Sequence, residues 1–562
     1  MGNNYYNDCA NNIIKWLSEN QITSNNLDRN DFNEVYKKDQ IIKLKGGIFD
    51  PVSAKVLGDH YSTSFYMISL LLLDNGEVSI PNKDDSFLNA LHFVKKYQYK
   101  FPFGDWQPHR DFNNFALSIG LIVSKNTEKK LLKKKTKLVI PQANDTGNWI
   151  AMKAVTFTVL SNVHRYNFIY SLMAKHYRKR IVNYIDGDGC IHDIINDSYP
   201  IQYHTYSTAL LYLLFHLTQE EKYRKHFLKA LDYLENFISY QGDFNYAGRG
   251  QKQIFGYAAF YFVMNAAFYL TNDFKYLNYL MLNSNYLKSM NSEKNRLSLL
   301  QNGLEDKRDS GWFDYHHTSV YNSFFATIIK LTNFLFGDNL KKIDQSKLDT
   351  EKQFSPKTVI NNTMILMRNE FWCVQFGYAG SNYVSDIGFT PNLISNIQEE
   401  IFSCPTGPTY EKYGKLFKYS KESPYNIFSP ILKYREKAWP YFSKIKYRGE
   451  QFKIIIESCH NDFEIKRTVE LAGKNLIFKD ELIRINNDIS GIAFNFSIRS
   501  NVVLSFIENV IKTKSGDIKI IGVNNLLRKE KYGKFASGEM DLFYSDDSIF
   551  ENITVETIFT LR

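Results

Sequence analysis

The sequence predicts an (α/α) toroid followed by an antiparallel β-sandwich, on three observations. From the N-terminus to about residue 345, apolar positions recur at three- and four-residue steps, the period of a helix. Within that part, amphipathic segments alternate with segments apolar nearly all round, as outer and inner helices of a closed bundle would. Beyond a polar linker over 342–357 the segments become short, alternating and β-branched, the period of a strand. The expected division is a helical domain over 1–345 and a β domain over 355–562. A chain of 562 residues is long enough to bury both cores.

In chain order, residues 61–73 read as an apolar helix opened by small polar residues, and 86–97 repeat the pattern. Pro200 can open a helix, because the N–H it lacks would have no partner there. Residues 201–214 are then expected to run as a buried helix whose first turn carries Tyr203, His204 and Tyr206. In 222–240, Phe227, Leu231, Leu234 and Ile238 mark one face of an outer helix, whereas 254–270 and 320–336 read as inner ones. In the second half, 453–458, 464–471, 475–482 and 492–498 read as strands, separated by turns at 472–474 and 486–488.

The net charge of +10 favours an anionic partner. The cations are dispersed apart from one run, Lys129, Lys130, Lys133, Lys134, Lys135 and Lys137, whose plainest reading is a solvated face. They form no stripe interleaved with aromatics, so a nucleic-acid partner is not expected. The 38 Tyr and 43 Phe suit sugar stacking, although an A/T-rich genome would raise them too. Five widely spaced cysteines give neither a zinc pattern nor a disulfide framework, which fits a reducing compartment. The N-terminal segment shows no basic start with an apolar stretch, so the expectation is a cytoplasmic chain, or a secreted or periplasmic one if a leader has been removed. The apolar run at 67–73 is too short to cross a membrane.

Four polar stretches fall just before predicted inner helices. Asn148-Trp149 follows a Gly147 turn, and capping is the plain role for such an Asn. Tyr203, His204 and Tyr206 form the second group. The third is Tyr246 to Tyr257, where Arg249 sits between two glycines and Gln253 opens a helix. The fourth is Tyr315, His316 and His317. The paired histidines could ligate a metal, but only Asp314 is near, so neither metal nor cofactor is expected. Trp106, His109 and Arg110 make an aromatic-plus-basic loop suited to a sugar subsite.

These groups supply Asn, His, Tyr and Arg but no convincing carboxylate pair, which glycoside hydrolysis usually needs. β-Elimination from a uronic acid needs what they do supply: donors to neutralise the sugar carboxylate, and a Tyr or His to move the C5 proton. The order Asn-Trp, Asp188-Gly189, Tyr-His-x-Tyr, Gly-Arg-Gly, Tyr-His-His resembles the α/α-toroid polysaccharide lyases, which include the heparinase II/III-like, alginate-lyase and hyaluronate/chondroitin-lyase groups. The later segments Asp386-Ile387-Gly388, Pro405 to Pro408, and His460 with Arg467 and Asp480 are similar in style.

The resemblance implies cleavage of an acidic polysaccharide in a cleft between toroid and sandwich. It makes Asn148 the carboxylate neutraliser, His204 or Tyr203 the base, Tyr206 an acid/base, Arg249 a clamp, and His316 or His317 a second neutraliser or base. Trp106, His109, Arg110, Trp149, Tyr246, Gln253, Tyr257, Tyr315 and His317 would bind substrate. The chain departs from the family at Asp188-Gly189-Cys190-Ile191-His192, which makes His192 a rival to His204. Two alternatives stand beside the lyase. One is a glycoside hydrolase drawing on Asp105, Asp186, Asp188, Asp243 or Asp314; the other is a glycan-binding protein without catalysis.

Overall fold

A computed structural model describes residues 2–56, 61–73, 76–99, 109–164, 167–193, 200–248, 250–291, 295–304, 317–340, 354–361, 363–377, 391–403, 443–459, 463–485, 494–535, 537–545 and 552–562. The helices are α1 (Gly2–Glu19), α2 (Asn30–Asn33), α3 (Lys38–Lys43), α4 (Tyr61–Leu71), α5 (Lys83–Tyr97), α6 (Arg110–Val123), α7 (Asn126–Lys135), α8 (Gly147–Val163), α9 (Phe168–Ile181), α10 (Ile201–Thr218), α11 (Glu221–Glu235), α12 (Ile254–Thr271), α13 (Lys275–Met290) and α14 (Thr318–Leu340). One two-residue strand pair, Phe49–Asp50 with Lys55–Val56, interrupts them.

Six of these helices close a ring: α4 packs on α6, α6 on α8, α8 on α10, α10 on α12, α12 on α14, and α14 back on α4. Outside it, α5, α7, α9, α11 and α13 lie against α4, α6, α8, α10 and α12, and α1 covers α14. The composition of each helix follows from its layer. In α12 every residue from Ile254 to Phe268 is buried, because an inner helix meets protein on all sides. By length and composition α12 could also cross a membrane, but its place in the ring accounts for its apolarity. Outer α11 buries only one face, with Tyr223, Phe227, Ala230, Leu231 and Leu234 among the inward residues. It stops at Glu235, earlier than its periodicity suggested; Phe237 and Ile238 remain buried in the turn beyond. Aromatics fill the axis: Phe324 stacks on Phe255 with centroids 4.1 Å apart and meets Phe65 and Tyr206 edge-on.

The second half is antiparallel throughout its described ladders. A five-stranded meander runs in sequence order through Lys357–Ile360, Met364–Arg368, Trp372–Gly377, Leu393–Asn396 and Glu400–Ser403. An eight-stranded sheet is ordered Val503–Ile507, Val510–Thr513, Gly516–Ile521, Ile553–Leu561, Asn475–Arg484, Phe463–Ala472, Lys453–Cys459 and Ser443–Glu450. Three more strands, Asn495–Arg499, Gly538–Ser545 and Leu526–Phe535, make a small sheet. Where the sequence suggested a two-layer sandwich, three sheets share one core that contains Trp372, Phe376, Phe478, Phe496, Phe543 and Phe559. Arg467 and Asp480, which carried part of the family resemblance, stand directly opposite each other in the large sheet. They form a buried two-pronged ion pair, with Nε–Oδ1 2.6 Å and Nη2–Oδ2 2.8 Å. Their role there is to satisfy one another.

The five-stranded sheet seats against the α11–α12 connection. Tyr233 pairs with Thr363 at 2.8 Å, Arg368 donates to the Ile238 carbonyl at 2.7 Å, and Gln241 donates to the Asn396 carbonyl at 2.6 Å.

Candidate active site

A cleft of about 420 Å³, mouth included, opens at one end of the ring axis. Its lining is Tyr61, His109, Phe112, Asn148, Trp149, Gln202, Tyr203, Phe255 and Tyr321. Every inner helix contributes from its N-terminal end. Tyr61 is the first residue of α4, His109 precedes α6, and Asn148 and Trp149 follow the start of α8. Gln202 and Tyr203 open α10, Phe255 opens α12, and Tyr321 lies in the first turn of α14. Six helix N-termini therefore converge on the cleft, and each brings the partial positive charge of its helix dipole. The walls are aromatic. Tyr61 stacks on Phe112 at 4.7 Å, Trp149 meets Phe112 edge-on at 5.5 Å, and His109 lies 5.7 Å from both Tyr61 and Trp149.

Asn148 owes its place to Gly147. A β-carbon at Gly147 would come within 2.1 Å of the His192 carbonyl oxygen, and the Gly147 N–H donates to the Asp193 carbonyl at 2.7 Å. Only glycine lets α8 dock this closely. Asn148 Oδ1 accepts from the Thr146 hydroxyl at 2.7 Å and from the Trp149 N–H at 2.8 Å. Those donors fix the amide's orientation, since only its oxygen can accept, and leave the NH₂ for a ligand. Beneath, Lys153 holds the approach loop by donating to the Gln142 and Asn144 carbonyls at 2.6 Å each, and lies 3.5 Å from buried Asp111.

Of the residues singled out in the sequence, His109, Asn148, Trp149 and Tyr203 line the cleft. Gln253 stands behind it, accepting from cleft-lining Gln202 at 2.9 Å. Gly248 and Gly250, at φ +81° and +84°, press against Pro200 and Gln202 so closely that a β-carbon on either would collide. Arg249 between them lies outside the described residues, as do Trp106, Tyr315 and His316. Tyr61, Phe112, Gln202, Phe255 and Tyr321 were not singled out, although each sits in or beside the opening turn of an inner helix.

The others lie elsewhere. His204 is buried, with Nδ1 accepting from the Ile191 N–H and Nε2 bonded to the Ala230 carbonyl, both at 3.0 Å. Neither nitrogen is left for a substrate proton, so its geometry is that of a structural residue. Tyr206 lies under the floor among Phe112, Phe115, Phe255 and Phe324, and burial raises its phenol well above the usual range. Tyr257 donates to Asp243 at 2.6 Å, and Tyr246 is buried beside Phe237. Arg110 turns to Tyr99, its guanidinium 5.9 Å from the ring. His317, at the foot of α14, is pushed down to about 4 by burial.

His192 pairs with Asp186 at 3.1 Å in the turn that buttresses Gly147. Asp186, Cys190 and His192 bring three donor atoms within 4.8 Å of one another, the one such group among the described residues. The carboxylate already accepts the Asp188 and Cys190 N–H groups at 2.9 Å, the bonding of a closed turn.

Burial pushes His204 down to about 4, below its ordinary 6.5. The unfolded chain therefore takes up the proton first as pH falls. This histidine's contribution is complete above about pH 6.5 and shrinks toward pH 4, by about 3 kcal/mol in all. Denaturant unfolding of the wild type should lose stability across that window more steeply than His204→Gln. Parallel slopes would show that His204 is not held neutral.

No protein-family model and no curated protein matches the chain. Among solved structures it is similar to heparan sulfate lyase HepC from Pedobacter heparinus, at 9% identity and TM-score 0.33, over 96% of this chain and 92% of that one. It is similar to a sugar epimerase from a ruminal bacterium, at 13% identity and TM-score 0.42, over 61% and 100%. A glycosyl hydrolase of family 88 from Bacteroides vulgatus gives 10% identity and TM-score 0.34, over 50% and 93%. Likeness at this level carries no reading of activity, and the functional argument rests on the cleft itself.

Proposed function

We propose that the chain is a carbohydrate-active enzyme, a polysaccharide lyase of the heparinase-like kind that cleaves an acidic glycan by β-elimination in the axial cleft. The observation that carries this is the pairing of Asn148, its amide NH₂ left for a ligand, with Tyr203 in an aromatic cleft where six helix N-termini converge. Aromatic walls suit the C–H faces of sugar rings. The positive ends of the converging helix dipoles and the Asn148 donor suit the uronate carboxylate, whose neutralisation acidifies the C5 proton. Tyr203, as its phenolate, takes that proton. The C5–H pair becomes the C4=C5 double bond, the C4–O4 bond breaks, and O4 leaves with the proton that Tyr203 returns. Tyr206 is poorly placed as a base, because a phenol so buried resists ionisation. Arg249 is a candidate clamp on the strength of its two flanking glycines.

A hydrolase would need paired acids. Of the five carboxylates considered from the sequence, Asp186, Asp188 and Asp243 are described and none lines the cleft. The test is a panel of acidic polysaccharides followed by ultraviolet absorbance of the unsaturated uronate. A lyase yields the chromophore with each new end. New reducing ends without it would replace this reading with hydrolysis, and binding without cleavage would leave a glycan-binding protein.

A further inference from the structure

The outer wall beside α7 and α9 carries cations and exposed hydrocarbon that the cleft does not use. Lys129, Lys130, Lys133, Lys134 and Lys137 are exposed and Lys135 half-buried, and none pairs with a described carboxylate. Lys95, at the end of α5, lies beside Lys135 and adds to the same surface. Their crowding is felt at Lys135, pushed down to about 8 by partial burial and by Lys95 and Lys134 beside it.

The strap that follows α7 runs along α9. Tyr170 donates to the Thr136 and Lys137 carbonyls at 3.0 and 2.9 Å and accepts from the Val139 N–H at 3.0 Å. Next to that seam, Leu138 is 71% exposed, Phe168 70%, Leu172 59% and Ile169 52%. The inward face of α9, through Tyr170, Ala174, Tyr177 and Ile181, is already packed on the ring, so these four make up a separate outward patch.

We infer that this wall is a docking surface for a membrane leaflet containing anionic lipid, with Leu138, Phe168, Ile169 and Leu172 entering the hydrocarbon boundary and the α7 lysines meeting the headgroups. Exposed apolar side chains clustered together mark an interaction site, and hydrocarbon flanked by lysines matches the two layers of an anionic leaflet. A second copy of the chain does not suit the wall, since it would set the α7 lysines against one another. A soluble acidic glycan would meet the lysines but has no use for three aliphatic side chains. α9 begins beyond the C-terminal end of α8, and α8 spans about 25 Å from its start at the cleft. A docked molecule would thus keep the cleft mouth away from the lipid.

The test is co-sedimentation of the full chain with vesicles of phosphatidylcholine alone or mixed with phosphatidylglycerol. Two variants are compared, Leu138→Ser/Phe168→Ser/Leu172→Ser and Lys133→Gln/Lys134→Gln/Lys137→Gln, with circular dichroism checking their fold. Binding should appear only with mixed vesicles, weaken with salt, and fall at least about tenfold in each variant. Equal sedimentation with both vesicle types, or none, overturns the inference. So does binding that only the lysine variant loses and that soluble heparin abolishes, which would make the wall a glycan surface. A dimer in solution that the apolar variant dissociates would assign the patch to a second copy instead.

Discussion

Lys252→Ala should lower the stability of the folded chain by about 3–5 kcal/mol, the largest loss expected from any single side chain here. Lys252 is fully buried where the helical half meets the five-stranded sheet. Its ammonium donates to Asp243, to both Glu400 oxygens at 3.0 and 2.8 Å, and to the Tyr286 hydroxyl at 3.2 Å. Tyr257 donates to Asp243 at 2.6 Å, and Arg499 approaches Glu400 at 3.4 Å. Two cations thus balance two carboxylates out of reach of water. Burial alone would push the ammonium down, yet Asp243 and Glu400 hold it well above the usual lysine range.

Removing it leaves one net negative charge buried in the interior. Urea unfolding at neutral pH measures the loss. Lys252→Met/Glu400→Gln restores neutrality and should be more stable than Lys252→Met alone. A cost below about 1 kcal/mol for Lys252→Ala would show that the network contributes little once solvent relaxes around it.

This network was invisible in the sequence, because Glu400 and Arg499 lie far along the chain from Asp243 and Lys252, and no spacing rule joins the four. What could be read was periodic. The all-round apolar run of α12 announced an inner helix, and Pro200 announced the start of α10, since both follow from local chemistry. The cleft was partly legible for a geometric reason. Polar residues at the mouth of an apolar helix need a purpose, and Asn148 and Tyr203 lie in the opening turns that face the axis.

His204 misled because it turns to the side of α10 away from the cleft, where the Ile191 N–H and the Ala230 carbonyl take both its nitrogens. Tyr206 does return toward the axis three residues on, but about 4.5 Å deeper, beneath the floor. The abundance of tyrosine misled in a similar way. Tyr66, Tyr170, Tyr206, Tyr212, Tyr223 and Tyr261 are among the many that fill the core and meet no solvent.

Those placements set the sharpest kinetic expectation, measured on whichever glycan the panel identifies. Tyr203→Phe should lower kcat by about 10²–10⁴ with KM little changed, since only the proton-moving hydroxyl is lost. Tyr206→Phe, by contrast, should stay within a few-fold of wild type, because its hydroxyl is sealed below Phe112 and Phe255. Equal losses in the two variants would move the chemistry into the floor and refute the assignment. Asn148→Asp is the companion test. It keeps the oxygen that accepts from Thr146 and Trp149, and a carboxylate in the first turn of α8 favours the helix. It also replaces the amide donor with a charge that repels a uronate. Thermal stability should therefore hold while kcat/KM falls by at least about 10²–10³, the scale of one lost donor to developing charge. Activity retained in Asn148→Asp would mean that no carboxylate is bound at this amide, and the substrate would then be sought among neutral glycans.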